Sequence, residues 1–220
     1  MPELNLITKL HNLTKRNYLQ RMQNEKVKCM SVSKKYEFEY WDGDRKYGYG
    51  GYKYIKGRWG KVAKKLIQLY NLKNNSKILD VGCGKGYLLY EIKKVLPKIR
   101  IYGLDISNHA LKNSPDEIKK YLIKHDIKNG LNFKKNSFDL VFSLATLHNL
   151  EINFLFRIIK QINKIGKKKY IMVESYRNNQ ELFNLQCWAL TCESFFSKNE
   201  WKWIFKNLKY TGDFEFIYFK

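Results

Sequence analysis

The chain has 220 residues, 44% hydrophobic and 15% aromatic, which is enough to bury one sizeable core, so a single domain is expected over 1–220. A net charge of +22 would suit a nucleic-acid binder. Lysine, however, far outnumbers arginine and is spread along the whole chain among Asn, Ile and Tyr, as in proteins of A/T-rich genomes, so the charge reads as compositional bias rather than a dedicated nucleic-acid surface, while still favouring an anionic substrate by steering.

No apolar run is long enough to cross a bilayer, and the amino terminus lacks the basic-then-apolar layout of a secretory signal; both predict a cytoplasmic protein. Cys29, Cys83, Cys187 and Cys192 are too scattered for a disulfide framework and form no CxxC. They read as thiols, and no metal site is expected.

Residues 3–28 carry spaced leucines that suit one or two surface helices. They begin an amino-terminal extension and lid over 1–58, ahead of a core over 59–220. Next comes "YGYGGYKYIKGRW" (47–59), rich in rings and glycines but without the period of helix or strand. "GKVAKKLIQLYNL" (60–72) is amphipathic at helical spacing. Beyond it strands and helices alternate: "KILDVG" a strand, "GYLLYEIKKVL" a helix, "IRIYGLDIS" a strand and "NHALKN" a short helix. "IKKYLIKHD" (118–126) is the expected third strand and "FDLVFSLATL" the fourth; the helix "EINFLFRIIKQINKI" follows, then the strand "KKYIMVES". This order predicts a doubly wound, mostly parallel α/β sheet. In the tail, "QELFNLQCWALTCESFF" (180–196) and "KNEWKWIFKNL" read as helices and "FEFIYFK" as a last strand.

Chemistry begins at "ILDVGCGKGYLL". Asp80 precedes Gly82, Gly84 and Gly86, with Cys83 between the first two, and the glycines let the backbone turn sharply beside a ligand at the carboxyl edge of the sheet. A dinucleotide loop would place a glycine at position 87, which is Tyr87, and a carboxylate at Asp80 is ill suited to a pyrophosphate. It suits a cationic ligand such as S-adenosylmethionine. Asp105, nineteen residues beyond Gly86, fits the ribose grip of either cofactor.

The set "DVGCGKG … GLD … HD … FDLVFSLATLH", over about residues 60–175, resembles the class I S-adenosylmethionine-dependent methyltransferases. The resemblance implies a Rossmann-like sheet, usually of seven strands with the last antiparallel. It also implies that Asp80, Gly82, Gly84 and Gly86 face the methionine part of the cofactor, Asp105 the ribose, and Ile106 and Asp126 the adenine. The Tyr/Gly segment, together with "VESYRNNQELFNLQCWALTCESFF", looks like a bacterial group within that family.

Three clusters are candidates for the acceptor side. His148 and Asn149 close the fourth strand, where the imidazole is a candidate base or a structural hydrogen-bonding group. Glu174, Tyr176 and Arg177 close the fifth: the carboxylate as base or ion-pair partner, the guanidinium as anion clamp or surface salt bridge. In the lid, Tyr47, Tyr49 and Tyr52 offer ring faces to a sulfonium or a substrate, and Arg58 a clamp for the methionine carboxylate. "SLATLH" after the fourth strand lacks the "NPPY"-like signature of nitrogen methylation in nucleic acids and proteins. It resembles the small-molecule branch, with an anionic or sugar-like acceptor expected. An RNA methyltransferase using the basic surface and a catalytically silent binding protein are the alternatives.

Overall fold

The computed structural model describes residues 2–220. Six strands form one sheet: β1 (Lys77–Val81), β2 (Arg100–Asp105), β3 (Leu122–Lys124), β4 (Phe138–Leu144), β5 (Gly166–Glu174) and β6 (Asp213–Ile217). Their order is β3-β2-β1-β4-β5-β6 and every pairing is parallel. The antiparallel last strand implied by the resemblance is therefore absent among the described residues. Two helices separate β5 from β6, and such a crossover returns the chain to the starting edge of the sheet.

Eleven helices surround the sheet among the described residues. Those before the core are α1 (Thr8–His11), α2 (Tyr18–Gln23), α3 (Lys26–Ser33) and α4 (Phe38–Trp41). The others are α5 (Gly60–Tyr70), α6 (Tyr87–Val95), α7 (Asn108–Lys112), α8 (Asp116–Lys119), α9 (Ile152–Ile165), α10 (Asn179–Trp188) and α11 (Lys198–Asn207). Leu66 of α5 and Leu89 of α6 pack with Ile78 and Leu140 on one face; Ile159 of α9 and Trp201 of α11 pack with Val141 on the other. Because β1 and β4 are neighbours and the chain winds outward from them in both directions, their carboxyl ends form the crevice where open α/β sheets bind ligands.

Two elements differ from expectation. Residues 118–126 divide into the end of α8 and the three-residue β3, with Tyr121 N–H capping α8 at Ile118 O. The helix expected over 180–196 ends at Trp188, because Lys26 Nζ takes the carbonyls of Cys187 and Ala189, and residues 193–194 turn their N–H groups to His148 O.

The amino-terminal extension is docked rather than loose. Leu4 N–H bonds Phe214 O at 2.7 Å, so the outer edge of β6 is covered. Behind it, the fully buried Glu215 carboxylate accepts five hydrogen bonds, from the N–H groups of Leu6, Ile7 and Thr8, the Thr8 hydroxyl and the Tyr170 hydroxyl. Glu215→Ala strands those donors and should lower stability by about 3 kcal/mol or more in urea denaturation. A loss under about 1 kcal/mol would mean the extension is held by other contacts.

Candidate active site

Two cavities lie side by side at the carboxyl edge of the sheet. The first, of about 260 Å³, is lined by Gly82, Asp105, Ile106, Asp126 and Asn149, with Tyr36 and Trp41 from the extension. The second, of about 420 Å³, lies between the extension and the ends of β5, α10 and β6, and includes Tyr52, Arg58, Met172, Glu174 and Trp188. Tyr40, Tyr49 and Ala145 line both. The two spaces thus meet at a pair of tyrosine rings and one small residue.

Local backbone chemistry sets the first cavity. Gly82, Gly84 and Gly86 have φ of +83, +54 and +68, values that glycine adopts without strain. Asp105 at the end of β2 accepts Gly84 N–H at 2.7 Å and Ser107 N–H at 2.9 Å, tying the glycine loop to the next strand. Burial raises its pKa, against those N–H donors. Asp126 accepts Lys128 N–H and so fixes the 3₁₀ turn that follows β3.

Asp80 lies deep beside this loop with Oδ1 buried and without a hydrogen-bond partner, and its pKa is pushed well up by burial and by the Asp105 charge. A cationic ligand would satisfy that oxygen and reverse the shift, and left-handed glycines allow close approach. The residues present therefore fit S-adenosylmethionine, with Asp105, Ile106 and Asp126 toward one end and Gly82 toward the other; Asp80 lines neither cavity and lies behind the glycine loop.

Several expected contacts fall elsewhere. Gly84 faces the Trp41 ring, where an added Cβ would stand 2.6 Å from Cη2, and Gly86 packs on Ile118 and Leu122. The Cys83 thiol points toward Gly103. None of the three lines a cavity; they shape the turn and let the sheet, helix and extension pack closely. Arg58 borders the second cavity, apart from Asp105 and Asp126, while Asn149 borders the first, apart from Glu174. Tyr47 is tied through its carbonyl to the Ser33 hydroxyl and lines neither cavity. Tyr176 bridges to Ser197 beyond the strand end, and Arg177 pairs with Glu181 and lies over the Tyr218 ring at 4.2 Å; the crossover to α10 has carried both away.

His148 and Glu174 do meet, with roles other than the sequence order suggests. His148 is buried behind the cavity wall, and burial lowers its pKa to about 3, so the ring is neutral. Glu174 N–H donates to Nδ1 at 3.2 Å, which leaves the proton on Nε2, 3.5 Å from Glu174 Oε2. His148 thus orients the carboxyl. Glu174 itself opens into the second cavity, and burial raises its pKa to about 7 against the opposing charge of Arg16.

The sequence reading missed the extension's larger contribution. Trp41 and Tyr49 stack with ring centroids 5.2 Å apart, Tyr52 continues the stack to Tyr87 at 5.3 Å, and Tyr40 meets Tyr49 edge-on at 5.3 Å. Asp42 fastens this wall to the core through the buried Lys85 Nζ at 2.6 Å and His109 Nε2 at 2.7 Å. The "GKG" lysine beside the loop and the acid in "YWDGD" were the available signals.

Residues 72–209 match the protein family described as "Methyltransferase domain". Among curated proteins the chain is similar to the mitochondrial arginine-hydroxylase NDUFAF5 of Mus musculus, 36% identical over 110 residues that cover 50% of this chain and 31% of that protein. It is also similar to the sterol 24-C-methyltransferase of Candida albicans, 27% identical over 127 residues, covering 53% and 34%. The chain spans about a third of the length of these relatives. Among solved structures, an S-adenosylmethionine-dependent methyltransferase from Archaeoglobus fulgidus superposes with a TM-score of 0.52 at 23% identity, covering 68% of each chain, and shares the fold. With a family match that spans more than half of the sequence and includes the glycine loop, this chain belongs to the methyltransferase-domain family, and its cofactor is S-adenosylmethionine.

Proposed function

We propose that the protein transfers a methyl group from S-adenosylmethionine to a small-molecule acceptor held in the 420 Å³ cavity between the extension and the sheet. The observation that carries this reading is the meeting of the two cavities at Tyr40, Tyr49 and Ala145, with Glu174 on the acceptor side. When bound, the cofactor supplies a methyl group on a positively charged sulfur, and transfer to a nucleophile leaves a neutral thioether.

The protein's part is alignment, exclusion of water and disposal of a proton. Two reactants held in line gain about 7 to 11 kcal/mol over free encounter. The rings of Tyr40 and Tyr49 wall off the junction and offer electron-rich faces to a cation. Glu174, ionised above about pH 7, receives the proton that a hydroxyl or ammonium acceptor loses, and neutral His148 keeps its carboxyl turned toward the cavity. Asp126 and Ile106 hold the adenine end in this reading, and Asp105 the ribose. The arginine-hydroxylase and sterol names belong to relatives whose matches cover about half of this chain, so their substrates do not carry over to it.

Enclosure of the second cavity by the extension favours a small acceptor over RNA, despite the net charge of +22. To test this, the protein is given methyl donor together with either the small-molecule or the macromolecular fraction of a cell extract, and S-adenosylhomocysteine is measured. Thioether formed with the small-molecule fraction is expected. Formation with the macromolecular fraction alone would overturn the reading in favour of RNA or protein methylation.

A further inference from the structure

The chain has 35 lysines and 7 arginines, yet four of those arginines and none of the lysines line the acceptor cavity. Where any cation suffices, this sequence uses lysine. Arginine differs from lysine in its planar fork of donors, which grips carboxylate and phosphate bidentately and stacks on aromatic faces.

Arg16, Arg21 and Arg45 converge on one indole: their guanidinium carbons lie 5.4, 4.3 and 5.0 Å from the centroid of Trp188. Arg58 joins the wall from the Tyr/Gly segment. Their hydrogen bonds go to neutral groups. Arg16 reaches His11 O and Thr14 O, Arg21 the carbonyls of Arg45, Lys46 and Gly48, and Arg45 that of Gly48. None of the four has a carboxylate within ion-pair distance among the described residues, and Arg16 Nε is buried without any partner. Glu174 is the single acid among the residues that line the cavity.

Crowding and burial weaken the hold of these groups on their protons. Burial and the neighbouring Arg45 charge lower the Arg21 pKa to about 10, and burial lowers those of Arg16 and Arg45. Holding carbonyls of the extension explains one edge of each guanidinium. It does not explain gathering three in a pocket whose lining offers one acid, Glu174, an excess of positive charge that repels itself unless an anion enters.

We propose that the acceptor of this methyltransferase is a small dianion, a phosphate monoester or a dicarboxylate, clamped by Arg16, Arg21 and Arg45 against Trp188. This assignment rests on the small-molecule methyltransferase reading. The three guanidiniums gathered on Trp188, with Arg58 in the same wall, match at least two negative charges, and the nucleophilic end of the molecule then lies toward Glu174 and the Tyr40 and Tyr49 junction.

Calorimetric titration of the full chain with malonate, inorganic phosphate and acetate, at about 150 mM salt to screen surface charge, tests it. Malonate or phosphate is expected to bind at least about tenfold more tightly than acetate, and whichever dianion binds better tells the carboxylate source from the phosphate source. Arg45→Gln and Arg16→Gln, each with native circular dichroism, should weaken that binding by about tenfold or more, whereas the exposed Lys206→Gln should not. Equal affinity for acetate, or dianion binding untouched by both arginine variants, overturns the proposal. Parallel titration with S-adenosylhomocysteine separates the two readings. Thioether binding without dianion binding removes the clamp and leaves the methyltransferase; dianion binding that obeys the variants without thioether binding keeps the clamp and removes the cofactor-dependent function.

Discussion

Gly82→Val should abolish binding of S-adenosylhomocysteine, with an affinity loss above about 100-fold, or about 2.7 kcal/mol. Gly82 lines the cofactor cavity at φ +83, and a Cβ there would overlap the Thr146 hydroxyl and methyl. A β-branched residue would either twist the turn out of its left-handed conformation, at roughly 1–2 kcal/mol, or push Thr146 and the end of β4 into the space a ligand needs. Both outcomes spoil the same surface. Calorimetry on protein with native circular dichroism measures the effect, and Gly82→Ala should fall between parent and Val. Affinity within about threefold of the parent would show that the cofactor does not use this loop.

Glu174→Gln should cut turnover by about 10²- to 10⁴-fold while leaving cofactor affinity unchanged. Because burial raises the carboxyl to about 7, parental turnover should climb as pH rises through that value, and the amide variant should lose that limb. Stability moves the opposite way. The folded pKa lies above the ordinary 4.5, so this carboxyl favours the folded state fully below pH 4.5 and that contribution is lost as pH rises through about 7, a change on the order of 3 kcal/mol. Above neutrality Glu174→Gln should therefore melt at a higher temperature than the parent, with little difference at pH 4. An amide variant with parental turnover would remove Glu174 from the chemistry and leave it a structural partner of His148.

The glycine-loop half of the molecule was legible because its signals are local. A strand of apolar residues, a sharp glycine turn and an acid after the next strand each need only a few consecutive residues, and they fixed β1, β2 and the placement of Asp80, Gly82, Asp105 and Asp126. The acceptor half was not, because its walls come from separate parts of the chain: Arg16, Arg21 and Arg45 before the core, Glu174 after β5, Trp188 at the end of α10. Nothing in the spacing of residues 16, 21, 45 and 188 announces that they share one indole. Burial was equally hidden. The order "TLHNLE" marks His148 as a residue at a strand end, but only the packing of β5 and residues 193–194 around it decides that the imidazole is neutral and faces a carboxyl rather than a substrate. Tyr49 and Tyr47 look alike in sequence, and the turn at Arg45–Tyr47 decides which ring enters the cavity.

The Glu215 carboxylate that gathers the N–H groups of residues 6–8 also orders events in time. A chain emerging from the ribosome carries β1 through β5 and the entire glycine loop well before residue 215 appears, and domains begin to fold during synthesis. Residues 4–8 must wait for β6 before they have these partners. A nascent protein can thus hold its glycine turn while the second cavity still lacks the walls that Ile7 and Phe219 provide. The second cavity is closed only once β6 and Phe219 have been made, so a chain arrested before residue 213 would lack that wall whatever the state of its glycine loop.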